Sequence, residues 1–250
     1  FEYNMQNNTE NDILQLPEKI AIEKGIQIVI CIDEFQQISD FEDSKTFQKK
    51  LRSVWQLQQH VSYCLFGSKK HLMNELFEKK NLPFYKFGDA IYLAKIETKY
   101  WIEYICKRFE NTGKHISPEL AEEICRLVDN HSSYVQQLSW LLWIRTINTA
   151  TTEQLSYALE DLLDQNNILF QSETENLSAY QMNFLKAIVD GIHTKFSSKE
   201  VISKYNLGTS ANIVRLKNAL LQKELIETNG KEIVLADPVF GVWFKKEMLY

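Results

Sequence analysis

Residues 26–34, Ile-Gln-Ile-Val-Ile-Cys-Ile-Asp-Glu, constrain the fold more than any other stretch of the chain. The run is rich in β-branched side chains and lacks the polar alternation of a strand with one wet face, so it predicts a central parallel strand covered on both sides. Parallel neighbours need a crossover connection, usually a helix. Ser44 to His60 supplies one, with Phe47, Leu51, Val54, Trp55 and Leu57 recurring at helical spacing. Val61 to Phe66 then reads as a second buried strand, ending in Gly67-Ser68. Lys69 to Lys80 is amphipathic through Leu72, Met73, Leu76 and Phe77, Pro83 breaks it, and Ala90 to Ile96 gives a third β-rich run. Upstream, Asp12 to Lys24 has helical spacing interrupted by Pro17, and Gly25 closes it. The alternation predicts half of a doubly wound α/β domain.

Beyond Glu97 the texture changes. Tyr100 to Phe109, Pro118 to Asp129, Ser133 to Thr146 and Thr152 to Asp164 are helical in spacing with no strand between them, and Gln171 to Asn176 reads as a polar link. Three further helical segments follow: Ser178 to Asp190, Ser197 to Tyr205, and Thr209 to Gln222. Ser197 and Ser198 stand before Glu200 as N-cap candidates. Leu225 to Thr228 and Glu232 to Leu235 flank Asn229-Gly230, the strongest short-range hairpin signal. Three helices and a hairpin are the plan of a winged helix-turn-helix. The expected domains are therefore residues 1–96, 97–172 and 173–250. The expected fold is mostly α with an α/β part.

Charge and composition narrow the function. Formal net charge is −5, so the chain as a whole is not the basic object that non-specific nucleic-acid binding favours. Its distribution is uneven: residues 175–250 carry ten Lys and Arg against eight Asp and Glu, while the preceding residues carry eighteen against twenty-five. Cys31, Cys64, Cys106 and Cys125 show no zinc-ligand spacing. Cys31 and Cys64 lie inside apolar runs and are expected to be buried, reduced thiols. The five histidines are scattered without metal-ligand spacing. Trp55, Trp101, Trp140, Trp143 and Trp243 all fall on apolar faces and read as core. There is neither a signal-peptide layout nor a run of 18 apolar residues, and the chain reads as cytosolic. It opens on Phe1 and a polar stretch, which reads as a piece of something longer.

The chemistry-bearing residues sit at the strand ends. In open α/β sheets, ligands bind beyond the carboxyl ends of the strands. A strand-end Asp can hold Mg²⁺ through its waters, and an adjacent Glu can polarise a water for attack on a γ-phosphate. Asp33 and Glu34 fit that pair, a Walker B pattern, and Ser68 ends the neighbouring strand where it could sense the phosphate or the attacking water. On the third helix of the C-terminal pattern, Thr209, Ser210, Asn212 and Arg215 are residue types that contact DNA phosphates and base edges.

The pieces ICIDEFQQI (30–38), LFGSKKHLMNELF (65–77), PFYKFGDAIYLAKI (83–96), HSSYVQQLSWLLW (131–143) and ADPVFGVWFKK (236–246) follow one another as in a known group. Together they resemble the archaeal-type, STAND-related P-loop ATPases of prokaryotes, which are AAA+-like. The resemblance implies a partial P-loop ATPase core, a helical lid and a C-terminal winged helix that reports nucleotide state, with ATP and Mg²⁺ as ligands. It makes Asp33 the Mg²⁺ aspartate, Glu34 the catalytic base and Ser68 the sensor. Two departures stand against it. The phosphate-cradling loop GxxxxGK[ST] occurs nowhere in the 250 residues, and the lid motif with Gly and Pro reads here as Asn130-His131-Ser132. The chain by itself is therefore not expected to hydrolyse ATP. The other reading is a nucleotide-independent module that binds DNA or a protein through its winged helix.

Overall fold

The computed structural model of the protein describes residues 10–248. Most of the polar opening stretch, residues 1–9, lies outside the described residues. The chain divides into two compact units between Tyr92 and Leu93.

In the first unit, helix α1 spans Glu10–Lys24 and runs through Pro17, and Gly25 ends it at φ +64°. Strand β1 (Ile28–Ile32) pairs in parallel with β2 (Val61–Leu65), from Ile28 opposite Val61 to Ile32 opposite Leu65. A 3-10 helix, Phe35–Asp40, follows β1, and α2 (Ser44–Trp55) is the crossover. Helix α3 spans Lys70–Glu78. An aromatic core of Phe35, Ile38, Leu51, Val54, Trp55, Leu76 and Phe84 packs with Ile32, Tyr63 and Leu65 of the sheet. Trp55 stacks on Tyr63 at 4.1 Å between ring centroids, and Phe84 meets Phe35 edge-on at 5.4 Å.

Two expectations fail here. The strands are covered on one face only: exposure alternates along β1, with Val29 66% exposed, and Cys31 and Cys64 are exposed rather than buried. The apolar run is continuous, yet among the described residues the core lies to one side of the sheet and the alternate side chains are left exposed. The third strand is not formed either. Residues 90–96 have no ladder, and Ile91 and Leu93 are 85% and 92% exposed. β-Propensity is a fit to neighbouring strands and faces, and a β-rich segment that packs on no core, as the exposure of Ile91 and Leu93 shows, gains little from extension even beside an open sheet edge.

The second unit opens with α4 (Thr98–Glu110), α5 (Pro118–Leu127), α6 (Ser132–Arg145) and α7 (Thr152–Glu175). Ser117 caps α5 through the Leu120 amide, with Pro118 in the first turn, where its missing N–H costs nothing. Thr151 and Gln154 form a capping box at the start of α7. Helix α7 is 24 residues long and continues through 171–175, where the sequence reads as a link. Nothing in Gln171–Glu175 breaks a helix, and buried Phe170 and Thr174 hold it against the fold.

The winged pattern then appears as α8 (Ala179–Val189), α9 (Lys199–Tyr205), α10 (Ser210–Gln222), the hairpin β3 (Ile226–Asn229) and β4 (Glu232–Leu235), and α11 (Pro238–Met248). Ser178 and Gln181 make a second capping box, and Ser198 is the serine that caps α9. Asn229 pairs with Glu232, so the turn falls on Gly230-Lys231, one residue later than the Asn-Gly signal suggests, with Gly230 at φ +61°. One core runs from α4 to α11. Phe170 of α7 packs on Phe240 and Trp243 of α11, and Trp243 Nε1 donates to Asn167 Oδ1 at 2.8 Å. Trp140 breaks the expectation for the tryptophans, being 56% exposed. Helix α6 carries apolar residues on more than one face, Trp140 and Ile144 being exposed, so its periodicity could not say that the face of Tyr134, Leu138 and Leu141 would be the buried one.

Candidate functional site

The end of β1 is shaped by two backbone bonds to one residue. Phe66 N donates to Ile32 O, and Phe35 N donates to Phe66 O, both at 2.8 Å. Asp33 and Glu34 are thus looped out opposite Phe66, which frees both carboxylates from the ladder. Glu34 N donates to Asp33 Oδ1 at 2.8 Å. Glu34 takes a left-handed backbone, φ 49° and ψ 40°, costly for a residue with a side chain and typical of sites that the surrounding structure over-determines.

Asp33 is exposed and Glu34 half-buried. Ser68, just past β2, donates from Oγ to Glu34 Oε2 at 3.0 Å. The structure therefore brings Glu34 and Ser68 together, with Asp33 beside them. Gln36 joins the group, its Nε2 donating to the same Oε2. Glu34 is held below the ordinary carboxylate range, first by the Gln36 bond, then by the Ser68 bond and the nearby Lys69 charge. All three effects favour the charged form, so at neutral pH Glu34 is a carboxylate that can accept a proton. The sequence reading missed Gln36 because one of two adjacent glutamines in a short, mixed turn gives no periodic signal.

A magnesium ion is usually held by one or two carboxylates, several waters and substrate phosphates. Asp33 fits that part. It is exposed, one oxygen already accepts the Glu34 amide, and the metal would meet it through water. Among the described residues no group of three or more His, Cys, Asp or Glu forms a closed metal site.

The residues singled out on the winged unit lie at the start of α10. Thr209 is its N-cap and, like Ser210 and Arg215, is exposed. Asn212 is engaged within the fold: its Nδ2 donates to Leu207 O and its Oδ1 accepts from Arg215 Nη2, both at 3.0 Å. No described helix is long and apolar enough to cross a membrane.

Comparison with known proteins follows this division. A family model described as a probable winged helix domain matches residues 168–246. Comparison with curated protein sequences found no match to the chain. Among solved structures, the Walker-type ATPase PABY2304 of Pyrococcus abyssi is similar over 98% of this chain and 72% of its own, at TM-score 0.75 and 16% identity. The Aeropyrum pernix ORC2 protein, solved as ADPNP-ADP complexes, is similar over 100% of this chain and 73% of its own, at TM-score 0.49 and 13% identity. The Aeropyrum pernix ORC1 protein in complex with DNA is similar over 99% and 71%, at TM-score 0.47 and 10% identity. The first of these shares its fold with this chain, a small parallel sheet, a helical unit and a winged helix, and that fold is the one carried by a Walker-type ATPase.

Proposed function

We propose that the chain is part of an ATP-binding switch ATPase, in which residues 1–96 contribute the Walker B half of the core, 97–172 the lid and 173–250 the winged helix that reports nucleotide state. The observation that carries this reading is the bond between Ser68 Oγ and Glu34 Oε2, which joins the ends of two adjacent parallel strands beside an exposed Asp33. ATP with Mg²⁺ would supply the phosphoanhydride to be cleaved and the charge that neutralises it. Asp33 offers its carboxylate to the waters of the metal. Glu34, charged and fixed by its neighbours, accepts the proton of the attacking water. Ser68, a hydroxyl just past the adjacent strand, senses that water or the phosphate through the hydrogen it now gives to Glu34.

No GxxxxGK[ST] loop lies within the 250 residues, and the backbone amides and lysine of such a loop supply most of the hold on a nucleotide. Hydrolysis accordingly needs a phosphate-binding loop from outside them. In the full-length protein, Glu34→Gln should retain ATP binding and lower turnover by about 10²- to 10⁴-fold, the usual worth of a general base. Unchanged turnover would refute the role of Glu34. Clear micromolar binding of ATP-Mg²⁺ by these 250 residues, read by isothermal titration, would refute the need for an outside loop.

The exposed Thr209, Ser210 and Arg215 on α10 favour a second reading, a nucleotide-independent module that binds DNA or a protein through the winged helix. Duplex DNA at low salt should then raise fluorescence anisotropy, with affinity falling steeply as salt rises. A flat titration removes the DNA form of that reading.

A further inference from the structure

Gln36 is 2% exposed, a burial that polar side chains accept only when their groups are paired. Its amide is paired on one side alone. Nε2 donates to Glu34 Oε2, while Oε1 is buried without a partner. Turning the amide over would set its oxygen against the carboxylate, so the charge of Glu34 fixes which way it faces. A leucine would fill the same place between Phe35 and Ile38 without stranding a carbonyl. The amide is retained at a cost to the fold, and the cost secures one bond, to the carboxylate at the strand end.

The opposite wall is cut to fit. Gly67 lies against Gln36, and a Cβ there would press on Gln36 Oε1 and stand 2.5 Å from Met73 Cγ and Sδ. Gly67 is not in a left-handed conformation, so a larger residue there would displace the Gln36 and Met73 side chains and would not strain the backbone.

We propose that Gln36 is the positioning residue of this site: its buried amide, seated against Gly67, anchors the Glu34 carboxylate. Gln36 and Ser68 both bond to Oε2, so together they set the plane and reach of the carboxylate, and neither consumes its other oxygen. Gln36 is buried, and its amide acts through Glu34. Glu34 takes a left-handed backbone at this point, and from it the carboxylate meets both Gln36 of the 3-10 helix and Ser68 just past β2.

The test has two arms. The first is independent of nucleotide and follows the Gln36 side-chain amide by NMR in the 250-residue chain, with Gln36→Met identifying the resonance. Glu34→Ala should speed exchange of that amide by about tenfold or more, the loss of one bond to a charged acceptor. Gly67→Ala should displace the same resonance with Glu34 intact. An amide that neither substitution moves overturns the proposal.

The second arm rests on the hydrolysis reading above and uses the full-length protein. Gln36→Met, which keeps volume and removes the donor, should lower kcat about ten- to hundredfold with KM unchanged, as loss of an orienting partner does. An unchanged kcat overturns the anchoring role in catalysis. Should the wild-type protein fail to hydrolyse ATP, the hydrolysis reading falls, and the amide arm alone decides the anchor.

Discussion

Tyr134 and Asp237 lie 103 positions apart, and the bond between them links α6 to the start of α11. Tyr134 is 9% exposed and donates to Asp237 Oδ2 at 2.5 Å, while Asp237 Oδ1 caps α11 by accepting the amides of Val239 and Phe240 at 2.7 and 3.0 Å. Burial, reinforced by the neighbouring carboxylate, holds the phenol far above its ordinary pKa, so it remains a donor at any pH the fold survives. Tyr134→Phe removes the hydroxyl and leaves the ring packing. A hydrogen bond to a charged partner contributes about 1.5–3 kcal/mol, and a unit of this size loses about 2–4 °C per kcal/mol, so Tm should fall by about 3–12 °C. Asp237→Ala removes the same bond and the cap, which is worth about a further 0.5–2 kcal/mol. In the Tyr134→Phe background, Asp237→Ala should therefore cost only the cap. Urea unfolding followed by circular dichroism, with unchanged m-values, gives the double-mutant cycle directly. A coupling below about 0.5 kcal/mol would refute the claim that this bond ties the helical and winged parts together.

The remaining expectations concern pH, thiols and a turn. Burial and the Asp237 charge raise the pKa of Glu173. Folding thus favours its protonated form, and the associated stability, full below the ordinary carboxylate range, is lost as pH rises through the raised value. Glu173→Gln should stabilise the fold at pH 7, and denaturation at stepped pH should show the gain vanish near about pH 4. Cys31 and Cys64 are exposed and should react promptly with Ellman's reagent, whereas Cys125, buried and with its thiol pushed up to about 11, should react only on unfolding. Prompt reaction of Cys125 would refute its placement in the core. Gly230→Ala places a side chain at φ +61° and should cost about 1 kcal/mol of hairpin stability. Unchanged thermal unfolding would show that the turn relaxes.

The winged helix was legible because short-range chemistry marks its borders. Ser178 and Ser198 are caps, and the Gly230 turn joins two short alternating runs. The β1–β2 pair was legible from β-branched runs separated by a helical spacing, and its carboxylates follow from the strand end alone. What escaped depends on neighbours. Nothing local says that Val29 and Cys31 face away from the core, or that residues 90–96 pair with no described strand. Polar composition at Gln171–Glu175 suggested a break, yet a helix breaks at Gly or Pro or where its anchors end, and Phe170 and Thr174 are anchors. Gln36 could have been found only by asking why one of two adjacent glutamines, two residues after Glu34, is buried between Phe35 and Ile38 while Gln37 is exposed.

Helix α7 runs unbroken from the helical region into the winged region, about 36 Å from end to end. With the side chains of α11 clamped along its last turns, it behaves as a stiff rod. A tilt of some 10° at the Thr151 end would carry the far end through about 6 Å, given the helical rise per residue. Small motions at one extremity would thereby arrive at the other as displacements large enough to open or close a contact.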